Sequence, residues 1–572
     1  MTNAPWRAHY DAGVSATLAP YPDRTMLDYF ADGVRERPDE PFLLFKGAHV
    51  TYAQLDTAAN SLAAAFTGLG VKRGDRVALL LPNAPQFLIS EIAAWRLGAV
   101  VVPLNPIYSE EELHAPLLLT GAETVVVLTP FYERVRAAAK GTAVKRIIAT
   151  NIKEYLPPVL RVLFTLLKEK KEGHRVTLHG GDLAFDQLLA AHRGAAAPEG
   201  KAAPGDVATL LLTGGTTGVP KCAETTFSEY VAAALQIRAW LGPALEAWNS
   251  PIMIPLPLFH IYANVGVQGL ALVTHNRLVL VPNPRDFMDV LKTIQRTRPA
   301  FFCGVPTLYN ALINHPMVQA GKIDFKSMKA CISGASPLMA ETKRRFEALT
   351  GGRIFEGYAL TESGMAAVCN PIVGENKLGS VGMPLPDVQL EIVDAESGDR
   401  SLGTGEVGEI ILRAPNLMKG YWKNPAETAV MLRPHGAGAP WLFTGDLGYL
   451  DADGYLFIVD RKKDLIKASG FQVWPREVEE AVAKHPAVAE VGVVGMADAA
   501  KGEIVAAFVV RRPGMSVTAE DLRAFCKEHL APYKVPTKIE FRSELPKSMV
   551  GKVLRRLLRE PVAGASAPVV AP

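Results

Sequence analysis

Two hydrophobic periods alternate between residues 54 and 104. Apolar side chains recur at helical spacing over 54–69, and a turn signal follows at Lys72-Arg73-Gly74-Asp75. Arg76-Val77-Ala78-Leu79-Leu80-Leu81 then reads as a buried strand, 84–97 as a helix and Val100-Val101-Val102-Pro103-Leu104 as the next strand. Continuous apolar strands set between helices belong to parallel sheets covered on both faces. The rhythm returns at 277–281 and 300–303, so an α/β fold with two doubly wound sheets is expected. Past Ser380 the texture changes. Strand-like runs at 388–393 and 408–413, separated by Gly, Pro and Asp turns, predict a small antiparallel β-barrel. A short α+β pattern follows Arg461, with a helix over 475–485.

At 572 residues the chain exceeds one compact core, and 49% apolar residues supply enough material for large buried sheets. The formal charge of +3, with no strongly basic segment, gives a nucleic-acid partner no electrostatic support. Cys222, Cys303, Cys331, Cys369 and Cys526 lie far apart, which fits neither a disulfide framework nor a zinc site and suits a reducing cytosol. The first residues carry no apolar signal core, and no run of eighteen apolar residues is free of charge. A cytoplasmic protein is expected. Residues 561–572, rich in Ala and Pro, are expected to form a disordered tail.

The densest chemistry lies at Thr213-Gly214-Gly215-Thr216-Thr217-Gly218-Val219-Pro220-Lys221, directly after the apolar run 208–212. Glycines let backbone N–H groups approach phosphate closely, while hydroxyls and a lysine add donors and charge. No Gly-Lys-Ser/Thr closes the loop, so it departs from the usual nucleotide-binding pattern. Four companions follow in order. They are 357–363 (Gly-Tyr-Ala-Leu-Thr-Glu-Ser), 443–446 (Phe-Thr-Gly-Asp), 460–464 (Asp-Arg-Lys-Lys-Asp) and 546–552 (Pro-Lys-Ser-Met-Val-Gly-Lys).

Together these five segments resemble the adenylate-forming superfamily of acyl-CoA synthetases, luciferases and peptide-synthetase adenylation domains, from about Thr51 to about Arg556. The fatty-acyl-CoA synthetase branch is the most similar. The resemblance implies an N-terminal AMP-binding domain over residues 1–460, its barrel at about 380–460, and a small mobile C-terminal domain over 461–560. It implies an AMP-forming acid–thiol ligase: a carboxylate attacks the α-phosphate of ATP to give acyl-AMP and pyrophosphate, and the thiol of CoA then releases AMP.

Residue roles come from the same resemblance. Thr213, Gly214, Gly215, Thr216, Thr217, Gly218 and Lys221 would hold phosphates, with Glu362 and Thr217 as Mg²⁺ ligands. Gly334, Ala335 and Ser336 match the wall of the adenine and carboxylate pocket, Tyr358 the aromatic packed on adenine, and Thr361 a phosphate contact. Asp446 would accept both ribose hydroxyls, with Arg461 as a second nucleotide contact. Lys552 matches the catalytic lysine of adenylation, although Lys547, Lys552, Arg555 and Arg556 as a bare basic run would ordinarily form a solvated face. Lys463 matches a hinge. Lys467, Ser469, Gly470 and Trp474 lie in the segment that meets CoA in the thioester-forming pose.

His260, in Pro257-Leu258-Phe259-His260-Ile261-Tyr262, would orient the acid or pack over the mouth of the acyl tunnel. No acidic residue matches the anchor for an amino group, which disfavours an amino acid. The insertion at 151–176 holds an apolar run, 159–167, followed by Lys168, Lys170 and Lys171. Such a helix could lie on a membrane surface, peripheral to its inner face, or pack on its own domain. Two departures from the relatives, Cys222 for glycine and Phe227 for histidine, are expected to alter pocket or loop contacts. The reading is a medium- to long-chain fatty acid:CoA ligase. Ligases for aromatic acids, fatty-acyl-AMP ligases that load a carrier protein and a non-catalytic lipid-binding protein remain as alternatives, and a homodimer is left open beside a monomer.

Overall fold

A computed structural model describes residues 4–198, 202–213, 220–334, 338–468, 471–498, 502–547 and 553–559. The chain divides into two compact units. The first comprises residues 1–390 and 412–442, the second residues 391–411 and 443–572.

Two large sheets build the first unit. One has nine strands with a parallel centre made of Pro41–Phe45, Leu278–Leu280, Ile252–Ile254, Phe301–Gly304, Ala330–Ser333 and Arg353–Tyr358. Antiparallel strands finish both of its edges, Ala48–Thr51 on one side and Val368–Cys369 with Met383–Pro384 on the other. The other sheet has eight strands, with Val207–Thr213, Val100–Pro103, Arg76–Leu80, Thr124–Leu128, Arg146–Thr150 and Leu183–Ala184 all parallel. The expected doubly wound pattern is therefore present, and the predicted elements at 54–104 are observed within three residues of their expected limits.

Sequence decides these elements locally. Thr51 caps the helix Tyr52–Gly68 by accepting from Gln54 N, while Gln54 reaches back to Thr51 N. Thr226 and Glu229 form the same reciprocal cap on the helix Phe227–Leu241. Every side chain of Thr124–Leu128 is buried, and Ala78, Leu80, Val102, Val125, Val127 and Leu210 share one apolar cluster. Removing such area from water stabilises by about 25 cal/mol per Å². Trp95 joins sheet to helix: its indole donates to Ala208 O at 2.9 Å, and its ring meets Phe227 and Tyr230 edge-on. Phe227 and Cys222 are both buried, Cys222 within the same apolar cluster. Cys222 points inward by the pleat of the strand Lys221–Thr226, and Phe227, the first residue of the following helix, packs on Trp95.

The second unit takes residues 391–411 and resumes at Phe443 within the strand Trp441–Leu450, which is laddered to Leu456–Arg461 with Asp446 opposite Arg461. The expected boundary at residue 460 falls inside this ladder, so residues 443–460 group with the C-terminal residues instead of the large sheets. Beyond the ladder, Phe471–Val473, Ile466–Ala468, Gly502–Arg511, Val488–Asp498 and Lys538–Phe541 form a five-stranded sheet. The helices Pro475–Ala483 and Ala519–His529 cover it through Val478, Val482, Leu522 and Cys526. Arg555 fastens the last helix. Its guanidinium reaches Asp460 at 2.9 Å, Asp464 at 3.2 Å and Glu479 at 2.8 Å. Burial alone would lower its pKa, but the Glu479 and Asp460 carboxylates more than offset that and raise it. Arg555 is thus an internal tie, while Arg556 is solvated.

Arg555→Ala would leave the buried Asp460 and the part-buried Asp464 and Glu479 without their cation and is expected to destabilise the second unit by about 3 kcal/mol. Urea unfolding of the full chain checks this, and an unchanged second-unit transition would show that Arg555 ties nothing.

Candidate active site

The phosphate-type loop joins two paired strands. Val207–Thr213 pairs antiparallel with Lys221–Thr226, and Thr213 stands opposite Lys221. Residues 214–219, including Gly214, Gly215, Thr216, Thr217 and Gly218, lie outside the described residues, but both feet of the loop are fixed in the sheet. Lys221 Nζ is 2.6 Å from Glu427 Oε2 and 5.5 Å from the centre of the Tyr421 ring. Gly420–Tyr421 pairs with the return strand at Ala223 and Glu224.

Glu362 meets these strands through Tyr421, whose hydroxyl donates to Glu362 Oε1 at 2.6 Å. Glu362 is only 8% exposed, and its own carbonyl accepts from Met418 N at 3.0 Å. Burial, followed by the Glu362 carboxylate, raises the Tyr421 phenol well above its ordinary range, so it stays a donor. The turn behind Glu362 demands glycine: Gly364 has φ +61°, and a Cβ there would lie 2.1 Å from Asn416 O. Asn416 Nδ2 in turn donates to Ser363 O and Ala366 O. Tyr421 and Glu427 escaped the sequence reading. They sit about sixty residues past Glu362, and only the Gly420-Tyr421 dipeptide hints at them.

A second group of site residues borders an apolar cavity. Tyr358 ends the strand Arg353–Tyr358, Gly334 follows the strand Ala330–Ser333, and both line the cavity with Trp240, Tyr262, Val267 and Met365. Tyr262 lies against Gly334, where a Cβ would meet its ring at 3.0 Å, and its hydroxyl donates to Ile332 O at 3.1 Å. Ala335 and Ser336 lie outside the described residues, and Thr361 sits in the turn before Glu362. His260 stands just ahead of Tyr262, and its Nδ1 accepts from Tyr262 N at 3.3 Å. Burial pushes His260 down to about 4, so the ring is neutral near pH 7 and carries its proton on Nε2. Asn83, also missed by the sequence reading, clamps the strand and loop before it, donating to Ile254 O and Leu256 O and accepting from Leu258 N.

In the second unit Asp446 is buried, and Arg461 Nε lies 3.1 Å from its Oδ1. Gly445, at φ +69°, makes the bend before it and donates to Glu409 Oε1. Lys463 lies in the 3-10 turn Lys462–Asp464, and Lys467 is exposed on Ile466–Ala468 with its N–H on Glu503. Ser469 and Gly470 lie outside the described residues, between the paired ends Ala468 and Phe471. Trp474 occupies the N-cap position of the helix Pro475–Ala483 without a side-chain capping bond. Lys552 is also outside the described residues. The segment that holds it is closed by a bridge between Lys547 and Val553, with Lys547 Nζ on Glu490 at 2.6 Å.

Comparison with known proteins places the chain. Residues 30–422 match the AMP-binding enzyme family, and residues 477–552 match the AMP-binding enzyme C-terminal domain. The chain belongs to this family of adenylate-forming enzymes. It is 38% identical over 561 residues to a long-chain-fatty-acid–CoA ligase of Bacillus subtilis, covering 98% of each chain. Among solved structures it is similar to ATP-bound MatB from Rhodopseudomonas palustris, with TM-score 0.79 and 28% identity over 94% of this chain and 98% of that one. The anthranilate CoA ligase AuaEII, solved with anthranoyl-AMP, gives TM-score 0.81 and 25% identity over 95% of this chain and 98% of that one.

Tyr421→Phe removes the hydroxyl that holds Glu362. A hydrogen bond to a charged group contributes about 1.5–3 kcal/mol, so kcat/KM for ATP in pyrophosphate release should fall about tenfold with the fold intact. Unchanged pyrophosphate release would remove Tyr421 from the site.

Proposed function

We propose that this enzyme joins a medium- to long-chain fatty acid to CoA, through acyl-AMP and pyrophosphate in the first half-reaction and AMP in the second. The observation that carries the reading is the apolar cavity opening beside Gly334 and Tyr358, close in sequence to Glu362. Its wall offers Trp240, Val267, Leu270 and Met365 to an alkyl chain. The name of the Bacillus subtilis relative supports the same acid class.

In the first half-reaction an anionic acid approaches an anionic polyphosphate, so the protein's task is alignment and charge neutralisation. Thr213, Lys221 and the loop between them receive the phosphates. Lys221, paired with Glu427, exchanges that partner for a phosphate oxygen. Tyr358 packs on adenine, and Asp446 takes the ribose hydroxyls with Arg461 beside it. His260, neutral and protonated on Nε2, donates to the carboxylate of the acid. Lys552 stabilises charge gathering between that carboxylate and the α-phosphate.

The donor set at Glu362 fits Mg²⁺, which keeps much of its water and binds through one or two carboxylates plus phosphate. Tyr421 holds Oε1 and leaves Oε2 for the ion, and among the described residues no cluster of three His, Cys, Asp or Glu competes for it. When bound, Mg²⁺ neutralises phosphate charge, with Thr217 as a further ligand. In the second half-reaction Lys463 is the hinge, and Lys467, Ser469, Gly470 and Trp474 receive the pantetheine arm.

We place the reaction in the cytosol, at the surface of an anionic phospholipid bilayer. Among the described residues no helix is long and apolar enough to cross a membrane. The helix Pro158–Leu167, however, buries none of its side chains: Val159 is 71% exposed, Leu166 75% and Leu167 69%. Arg161, Lys168, Lys170, Lys171 and Arg175 surround it, all exposed, and their charge complements phospholipid headgroups. The reducing compartment suits five free, buried thiols. Burial pushes Cys222 and Cys369 up to about 12, which keeps them protonated.

Product analysis and vesicle binding test these readings. Mass spectrometry of products from ATP, Mg²⁺, CoA and a panel of acids should give acyl-CoA peaking at medium or long chains. An aromatic preference would overturn the substrate class, and acyl-AMP without acyl-CoA would point to a carrier-protein acceptor. In the same assay Lys552→Ala should lose adenylation yet convert supplied acyl-AMP, and surviving adenylation would displace Lys552 from its role. In vesicle co-sedimentation the enzyme should prefer anionic over zwitterionic vesicles, and L166D with L167D should weaken binding at least about tenfold. Equal binding by the double variant would remove the helix from the membrane.

A further inference from the structure

The wall of the apolar cavity rests on a buried carboxylate that does not itself line it. Glu91, on the helix Pro85–Arg96, is fully buried. Its Oε1 accepts from Asn264 Nδ2 at 2.9 Å, and its Oε2 accepts from Gln268 Nε2. Tyr230 completes the group: its hydroxyl donates to Asn264 O at 2.7 Å and accepts from Gln268 Nε2 at 3.3 Å. All four residues are buried, and among the described residues no cation pairs with Glu91. Burial pushes its pKa up to about 7, a destabilising environment for a carboxylate unless its hydrogen bonds are needed.

Asn264 and Gln268 belong to a π-helix, Tyr262–Gln268, in which every residue is buried. π-helical turns are rare and less favourable than α-helical ones, so this one must be held in place. Its other face is the cavity wall, where Tyr262, Gly266 and Val267 line the space, followed by Leu270 on the next helix. Gly266 is tightly placed: a Cβ there would lie 2.8 Å from Met365 Cγ. Gly269 allows the same segment to sit against Tyr230, whose ring a Cβ would meet at 2.8 Å. Asn83, eight positions before Glu91, clamps the loop that leads into the segment. One stretch of chain, 83–91, therefore fastens both the approach to the π-helix and the π-helix itself.

We infer that Glu91 is a positioning residue for acyl-chain length: by holding Asn264 and Gln268 it fixes the π-helical register that presents Gly266 and Val267 to the cavity. Relaxation of the segment to α-helical geometry would rotate these residues about the axis and bring other side chains to the wall. The depth open to an alkyl chain would change, while the nucleotide contacts at Thr213, Glu362 and Tyr358 would stay. The inference rests on the fatty-acid reading of the cavity, although it needs only an acid whose tail reaches Gly266.

The test compares wild type, Glu91→Leu and Glu91→Gln on fatty acids from six to eighteen carbons and on 4-alkylbenzoates of increasing length. Glu91→Leu leaves both amides without their acceptor, whereas Glu91→Gln keeps a carbonyl for one amide and offers its NH2 to the other, which can turn its unpartnered oxygen toward it. In Glu91→Leu the KM of the longest acids should rise about tenfold, the size of a misfit of roughly one methylene, while KM for ATP stays within about twofold. Glu91→Gln should restore the wild-type length profile. The inference is overturned if folded Glu91→Leu keeps that profile, or if KM for ATP and for every acid shift together. Should Glu91→Leu fail to fold, Gln268→Leu removes one of the two bonds and is read against the same outcomes. The wild-type profile separately tests the substrate class. If it favours the benzoates, the fatty-acid reading fails and the variants are judged on that series.

Discussion

A buried carboxylate must be held by partners that are themselves fixed. In the first unit that support gathers around Glu362. The carboxylate is held by Tyr421, and Tyr421 is held by strand pairing with Lys221–Thr226, which is also the return limb of the phosphate-type loop. The two functional pieces thus share one support. Gly364 and Asn416 lock the turn behind Glu362 so closely that any side chain at 364 would strike the backbone. Rigidity is concentrated in the sheet and the turn.

The second unit repeats this logic with charge. Asp460 accepts from the N–H groups of Arg461 and Arg476 and pairs with Arg555, so it organises the ladder end, the start of the helix Pro475–Ala483 and the last helix together. Buried ion pairs add little net stability, but they penalise alternative arrangements heavily. Next to that tie, the bridge between Lys547 and Val553 fixes both ends of the segment that carries Lys552. Lys547, five positions before Lys552, is engaged by Glu490 at the base of that segment.

The apolar cavity adds a different constraint. Its lining residues come from separate strands and helices, so its shape depends on packing behind the wall as much as on the wall itself. The Glu91, Asn264, Gln268 and Tyr230 cluster is such a backing. It is a polar network inside an apolar region, in which both Glu91 oxygens are satisfied while Asn264 Oδ1 and Gln268 Oε1 have no partner among the described residues.

Much of this architecture is legible in the residues. The alternating periods over 54–104 give the parallel strands and their helices, because a strand buried on both faces needs a continuous apolar run and its neighbours do not. Glycine spacing and hydroxyls mark 213–221, since close approach to phosphate tolerates few other residue types. The unread part is whatever distance in space decides. Tyr421 carries no local signal of its bond to Glu362, and Glu91 reads as one polar position in an apolar helix. Phe227 and Cys222 read as departures from the relatives in the sequence, and only the structure shows that both are buried. Periodicity and backbone chemistry are properties of neighbouring residues and so belong to the sequence. Partners of buried polar groups and the lining of a cavity are set by packing among distant segments, and only the tertiary structure decides them.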